Sequence, residues 1–179
     1  MPTSPDPVPH WFALRVRPRA EKQVAMLLRR RGFEEFLPIT RQRRRWSDRV
    51  KDVDLPLFPG YVFSRFVVDR RQPILMIPGV INVVSGGHGP QPVDDTEMAS
   101  LQTLVRSDRP VDPWPEEFVG RRVRLLAGPL AGAEGTLVSV RQHTRLIVHL
   151  SLLQRSVAVE VSEHDAWPVS APALHLSTY

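Results

Sequence analysis

Hydrophobic positions along this chain switch between two periods, and the switches mark its elements. Residues His10 to Arg17 alternate and are apolar enough for a strand. From Arg19 to Arg31 the spacing becomes Ala20, Val24, Leu27, Leu28, one face of a helix, and Gly32 fits its C-terminus. A second extended stretch runs from about Phe36 to Arg44, with a loop or hairpin tip near Trp46 to Arg49. Tyr61 to Val68, rich in aromatic and β-branched residues, predicts another strand. A short helical piece follows around Pro73 to Ile77, then a strand from Val80 to Val84 closed by Gly86-Gly87. Asp94 with Glu97 three residues later marks a helix start, and Met98, Leu101, Leu104 and Val105 supply its apolar face. Strands interleaved with two longer helices predict an α+β domain over residues 10–106, an antiparallel sheet with flanking helices.

Between Ser107 and Glu117 the pattern stops. Pro110, Pro113 and Pro115 fall within six positions and forbid a helix or a central strand, so 107–117 reads as a semi-rigid linker. Short strand-like runs then return at Arg122–Leu126, Gly135–Val140, Leu146–Leu150 and Ser156–Val161. Such close spacing predicts a small all-β barrel over residues 118–170, followed by a tail at 171–179.

One turn stands out from this pattern. Pro56-Leu57-Phe58-Pro59-Gly60-Tyr61-Val62-Phe63 sets two prolines and a glycine among three aromatics. Pro59 fixes its own φ and biases Phe58 toward extended geometry, while Gly60 tolerates angles other residues avoid. Tyr61 and Phe63 must share one side of the strand that follows, because side chains alternate.

Charge changes the picture in one place. The net charge is +5, but residues 1–111 hold 18 basic against 12 acidic side chains, and residues 112–179 hold 6 against 7. The basic excess belongs to the N-terminal part, which suggests an electrostatic partner there, nucleic acid being the usual candidate. The chain has no cysteine, which excludes disulfides, thiolate metal sites and a cysteine nucleophile. No apolar run approaches the roughly 20 residues of a membrane span. Residues 1–9 read as a disordered lead without the features of a signal peptide, so a cytoplasmic protein is expected.

A second motif, Val123 to Leu137, reads as a strand, a tight Gly128-Pro129 turn, a loop punctuated by Gly132, and a strand beginning at Gly135. It resembles a KOW motif, the signature of small barrels in transcription-elongation and ribosomal proteins. Joined to His10-Trp11-Phe12-Ala13-Leu14, Glu21-Lys22-Gln23-Val24, Leu57 to Phe63, and Pro78-Gly79-Val80, the order resembles the bacterial NusG-type elongation factors over about residues 10–168. The resemblance implies an N-terminal NGN domain that docks on RNA polymerase and a C-terminal KOW barrel that recruits a second factor. The long basic segment before the turn, and Phe63 after Tyr61-Val62, resemble the specialised paralogues of the RfaH, UpxY and LoaP group. Ala133 stands where housekeeping members carry a large aromatic that helps hold NusE or Rho. Its loss implies weakened recruitment of NusE, or of a ribosome through it, and puts Rho recruitment in doubt.

Site residues follow from the same resemblance. Phe58, Tyr61 and Phe63 match the family's hydrophobic pocket for the clamp helices of the polymerase largest subunit; the competing reading is sheet core. Arg41, Arg43, Arg44, Arg45, Arg49 and Lys51 surround Trp46 in a basic hairpin suited to upstream or non-template DNA, by phosphate contact and stacking, with Arg43, Arg44, Arg45 and Trp46 the candidate contacts, or else to local salt bridges. Arg17, Arg19, Lys22 and Gln23 fall where the specialised members meet the non-template strand, or form an ordinary exposed helix start. Arg70, Arg71 and Gln72 match a short loop that touches the opposite side of the polymerase cleft.

No enzyme site emerges. The six histidines lack metal-site spacing, Asp94-Asp95 is better read as a helix cap, and there is no nucleophile elbow or phosphate-binding glycine loop. The expectation is a monomeric, cofactor-free and metal-free regulator that promotes processive, pause-resistant elongation or antitermination. Its rivals are a general NusG, including Rho-coupled termination, and a ribosome-associated RNA-binding KOW protein.

Overall fold

The structure, a computed structural model, describes residues 8–45, 50–114, 120–140 and 143–169. Strand β1, His10–Val16, and helix α1, Glu21–Arg30, open the chain. Strands β2 (Glu34–Phe36), β3 (Ile39–Arg45), β4 (Val50–Pro56) and β5 (Tyr61–Phe66) follow. Then come helix α2 (Gln72–Leu75), strand β6 (Val80–Val83), the two-residue strands β7 (Ser85–Gly86) and β8 (Gly89–Pro90), and helix α3 (Asp95–Arg106). Asp94 caps α3, its carboxylate accepting from the Thr96 and Glu97 amides at 2.9 and 3.0 Å, as the spacing predicts.

The first sheet runs β2-β5-β1-β6 with every pairing antiparallel. Alternation divides its two faces. On one, Phe12, Leu14 and Val16 of β1 and Val62 and Phe66 of β5 pack with Val24, Ala25 and Leu28 of α1. Burial of each large side chain among them contributes about 1.5–3 kcal/mol. On the other face, Trp11, Ala13 and Phe63 meet Met98, Leu101 and Leu104 of α3. Among the described residues, strands β3 and β4 pair only with each other, forming a separate two-stranded ribbon.

The C-terminal part is a second antiparallel sheet. Strands β9 (Val111–Trp114), β10 (Arg121–Leu125), β11 (Glu134–Val140), β12 (His143–Leu150), β13 (Arg155–Glu160) and β14 (Ala166–Pro168) assemble in the order β14-β10-β11-β12-β13-β9. The segment read as a linker therefore contributes a strand. β9 lies at the sheet edge, the position in which Pro113 is tolerated without a donor N–H. Its residues Val111 to Trp114 pair with Val159 to Ser156. Residues 1–7, 115–119 and 170–179 of the expected lead, linker and tail lie outside the described residues, as does the hairpin tip 46–49.

The two sheets share one apolar cluster, in which Trp11, Phe58, Phe63 and the α3 face join Leu125, Leu130, Ala133, Leu146 and Leu150. The C-terminal β domain thus sits against α3 and the β5 face of the first sheet.

Candidate functional site

The turn at Pro59-Gly60 is held from two sides. Gly60 takes φ +86°, a conformation that disfavours any side chain, and its carbonyl accepts from the Val16 amide at 2.9 Å. Its own amide donates to Oε1 of Glu21 at 2.9 Å. Glu21 is only 6% exposed, a carboxylate buried at the first residue of α1, where the positive end of the helix dipole favours it. The start of α1 and the aromatic turn are therefore one bonded unit. The sequence offers Glu21 only as part of the motif Glu21-Lys22-Gln23-Val24 and hides this role; the signal for it, an acidic residue opening a helix, is a common one.

Beyond the turn, Tyr61 and Phe63 do share one side of β5, with Phe63 opposite Ala13 on β1 and Phe36 on β2. The exposed aromatic patch expected from the sequence is covered in this structure. Phe58 and Phe63 are 1% and 0% exposed, packed edge to face with ring centroids 5.9 Å apart. Tyr61 is half-buried, and the Arg155 guanidinium lies 5.3 Å from its ring centroid. Phe36, 6.3 Å away between ring centroids, also flanks Phe63, which lies in the apolar cluster shared by α3 and the C-terminal sheet, and Arg155 of that sheet lies over Tyr61.

Polar contacts tie the C-terminal sheet to α3. Ser151, in the turn between β12 and β13, donates its amide and hydroxyl to the two carboxylate oxygens of Glu97, at 3.0 and 2.6 Å. Ser100, 1% exposed on the apolar face of α3, accepts from the Glu134 amide at 2.8 Å. The local spacing makes Glu97 half of a capping box, but its side chain reaches the neighbouring domain instead. Nothing in the linear pattern pairs Glu97 with Ser151, 54 residues away.

The basic candidates fall in two places. Arg17, Arg19, Lys22 and Gln23 are all exposed at the end of β1 and the start of α1, beside the Gly60 turn. Arg43, Arg44 and Arg45 end strand β3, opposite Asp52, Lys51 and Val50 of β4; Trp46 lies outside the described residues. Arg41 in the same ribbon forms an ion pair with Asp54 at 3.5 Å, so part of the ribbon's charge is balanced locally. The structure does not bring Arg70, Arg71 and Gln72 together with either group. Arg70 and Arg71 lie between β5 and α2 and Gln72 opens α2; Arg71 donates to the Val68 carbonyl at 3.0 Å and Arg70 is exposed.

In the glycine loop before β11, Gly128 and Gly132 take φ +76° and +87°, and the Gly132 amide donates to the Leu125 carbonyl at 2.8 Å. Pro129 occupies the turn, and Ala133 is fully buried. A Cβ on Gly135 would collide with the Ile147 carbonyl oxygen. Among the described residues no group of three or more His, Asp or Glu is placed to hold a metal ion, and no helix is long and apolar enough to cross a membrane.

Known proteins resemble this chain in sequence and in fold. A relative from Synechocystis sp., "Transcription termination/antitermination protein NusG", is 27% identical, with 85% of each chain covered. A protein of the same description from Lactococcus lactis subsp. lactis is also 27% identical, with 75% of each covered. A solved structure concerned with domain interaction in Thermotoga maritima NusG matches at TM-score 0.52 and 22% identity, covering 90% of this chain and 98% of that one; the likeness is one of fold. The family described as "Transcription termination factor nusG" matches residues 9–102, more than half of the sequence. By this match the chain belongs to the NusG family of transcription factors.

Proposed function

We propose that this protein is a transcription elongation regulator whose N-terminal domain docks on RNA polymerase through the aromatic face of β5. The observation that carries the reading is the common face formed by Tyr61, Phe63 and the apolar side of α3, next to the Gly60 turn. A face of that chemistry suits an amphipathic helical partner, here the clamp helices of the largest subunit. The exposed residues Arg17, Arg19, Lys22 and Gln23, with the β3–β4 ribbon, would contact upstream or non-template DNA. Those contacts would add affinity without sequence choice. Arg70, Arg71 and Gln72 would reach the opposite side of the cleft. Bridging the cleft would hold polymerase in a pause-resistant state. The C-terminal domain, a KOW barrel in this reading, would recruit a second factor such as NusE or a ribosome.

Specialisation toward selected operons is supported by Tyr61-Val62-Phe63 and by Ala133, which leaves the KOW loop without an aromatic anchor. A general NusG role is favoured by the relatives matched over 75–85% of their length. Genome-wide occupancy separates the two: uniform coverage of most genes refutes specialisation. Docking itself is tested by titrating the full chain onto isolated clamp helices. Saturable binding that weakens at least tenfold in Tyr61→Ala is expected. Binding unchanged by Tyr61→Ala with Phe63→Leu would falsify the proposed face.

A further inference from the structure

The outer face of the C-terminal sheet carries groups that docking through β5 leaves unused. Strand β10 sends Val123 and Leu125 into the apolar cluster, so Arg122, Arg124 and Leu126 fall on the opposite side. The ladder with β14 sets Trp167 opposite Arg124, which puts the indole on that same side, beside the guanidinium. The Leu126 amide donates to the Asp165 carbonyl at 3.0 Å, so the pairing continues one residue past β10. Among the described residues of the C-terminal sheet, Trp167 and Leu126 are the two large apolar side chains left in water, at 65% and 61% exposure.

The neighbouring guanidiniums are oriented rather than neutralised. Oε1 of Glu134, on β11, accepts from Nε of Arg124 at 2.7 Å, and its Oε2 lies 3.8 Å from Nη2 of Arg122. The Glu134 side chain is 10% exposed, while those of Arg122 and Arg124 are 67% and 56% exposed. One carboxylate therefore aims two guanidiniums, and the trio keeps a net positive charge. Arg122 also borders a cleft lined by Asp94 and Glu97, but those carboxylates are engaged with the Thr96 amide and with Ser151. The two arginines stand two residues apart, roughly 7 Å along the strand, which leaves room for a phosphate on each.

An exposed indole beside two oriented guanidiniums matches the two parts of a nucleotide, a base with an open π-face and a phosphate that accepts forked donors. A helical protein segment would need apolar anchors over several turns, and Trp167 with Leu126 supplies only one such contact. A duplex keeps its base faces stacked inside. We infer that Trp167, Arg122 and Arg124 form a contact site for single-stranded nucleic acid on the outer face of the C-terminal sheet. Trp167 stacks on a base, the two arginines hold neighbouring phosphates, Glu134 positions them, and Leu126 extends the apolar ledge. The site is separate from Arg17, Lys22 and the β3–β4 ribbon, and it does not depend on the docking reading above.

The probes are short oligouridylate and oligothymidylate, titrated into the isotope-labelled full chain and followed by nuclear magnetic resonance. The chain has four tryptophans, and the indole signal lost in Trp167→Phe identifies Trp167. That signal and the Arg122 and Arg124 amides should shift saturably with single strands. Equal shifts assign the site to RNA and DNA alike, and a preference of at least fivefold for one probe names the strand it serves. Affinity at this site, read from the Arg124 amide, should fall at least fivefold in Trp167→Leu and be largely kept in Trp167→Phe, since any base stacks on either ring. Arg122→Ala with Arg124→Ala should flatten the log–log salt slope by about 1.4, roughly 0.7 for each phosphate released. Because Trp167 is mostly in water, the thermal midpoint of these Trp167 variants should match wild type. An indole signal that stays put while the amides of Arg17 to Gln23 shift overturns the site. Affinity within twofold of wild type in Trp167→Leu overturns the stacking. Equal shifts with a blunt duplex or with oligoglutamate overturn the proposal as well, the first assigning the patch to charge alone and the second to an acidic protein segment.

Discussion

Replacing Glu21 with alanine tests whether the aromatic turn is held from α1. The substitution removes the acceptor of the Gly60 amide, a 2.9 Å bond to a carboxylate that is 6% exposed. A hydrogen bond to a charged group contributes about 1.5–3 kcal/mol net. The favourable position of the carboxylate at the helix start adds roughly 0.3–1 kcal/mol. Relief of carboxylate desolvation offsets part of this, leaving an expected loss of about 2 kcal/mol. For a chain of this size that lowers the unfolding midpoint by roughly 4–8 °C. Glu21→Gln keeps an acceptor and should lose about half as much. The measurement is urea unfolding of the full chain, with amide exchange followed at Gly60. Because about 1.4 kcal/mol corresponds to a factor of ten, Gly60 should exchange at least about tenfold faster in Glu21→Ala. A stability within about 0.5 kcal/mol of wild type, with Gly60 exchange unchanged, refutes the coupling of helix and turn.

Further outcomes are expected elsewhere. Gly135→Ala should destabilise the C-terminal sheet by about 1–3 kcal/mol, since its Cβ collides with the Ile147 carbonyl, while Gly87→Ala, with open space around it, stays near neutral in the same unfolding assay. Asp94→Ala should cost about 1 kcal/mol by freeing the Thr96 and Glu97 amides, read as loss of helical circular dichroism at a lower denaturant concentration. Replacing Arg43, Arg44 and Arg45 together by alanine should flatten the salt dependence of DNA binding, by roughly 0.7–0.9 in log–log slope for each phosphate that is no longer neutralised. An unchanged slope would assign those side chains to solvent.

The elements are legible in the sequence because local periods and local caps specify them. The α1 stripe of Val24 and Leu28, the Asp94 cap and the alternation of Tyr61 and Phe63 all appear as the pattern predicts. Two readings need the third dimension. The prolines at 110, 113 and 115 announce a break in regular structure, yet an edge strand asks only that the missing donor face outward, and Val111–Trp114 meets that condition. The resemblance places the aromatics of β5 on a docking surface, while their chemistry equally suits a sheet core, and which of the two holds depends on contacts between residues far apart in the chain, such as Glu97 with Ser151, 54 residues apart. Glu21 belongs with these: a buried carboxylate is visible only once the Gly60 amide is seen to face it.

The edge position of β9 also decides where the polypeptide can be divided. A fragment beginning at residue 118, where composition alone places the boundary, would lack the strand that covers β13. The bare row of β13 amides and carbonyls, in a strand whose middle reads Val157-Ala158-Val159, is a template for pairing with other chains. Such a piece should self-associate edge to edge, and one beginning at residue 108 should stay monodisperse.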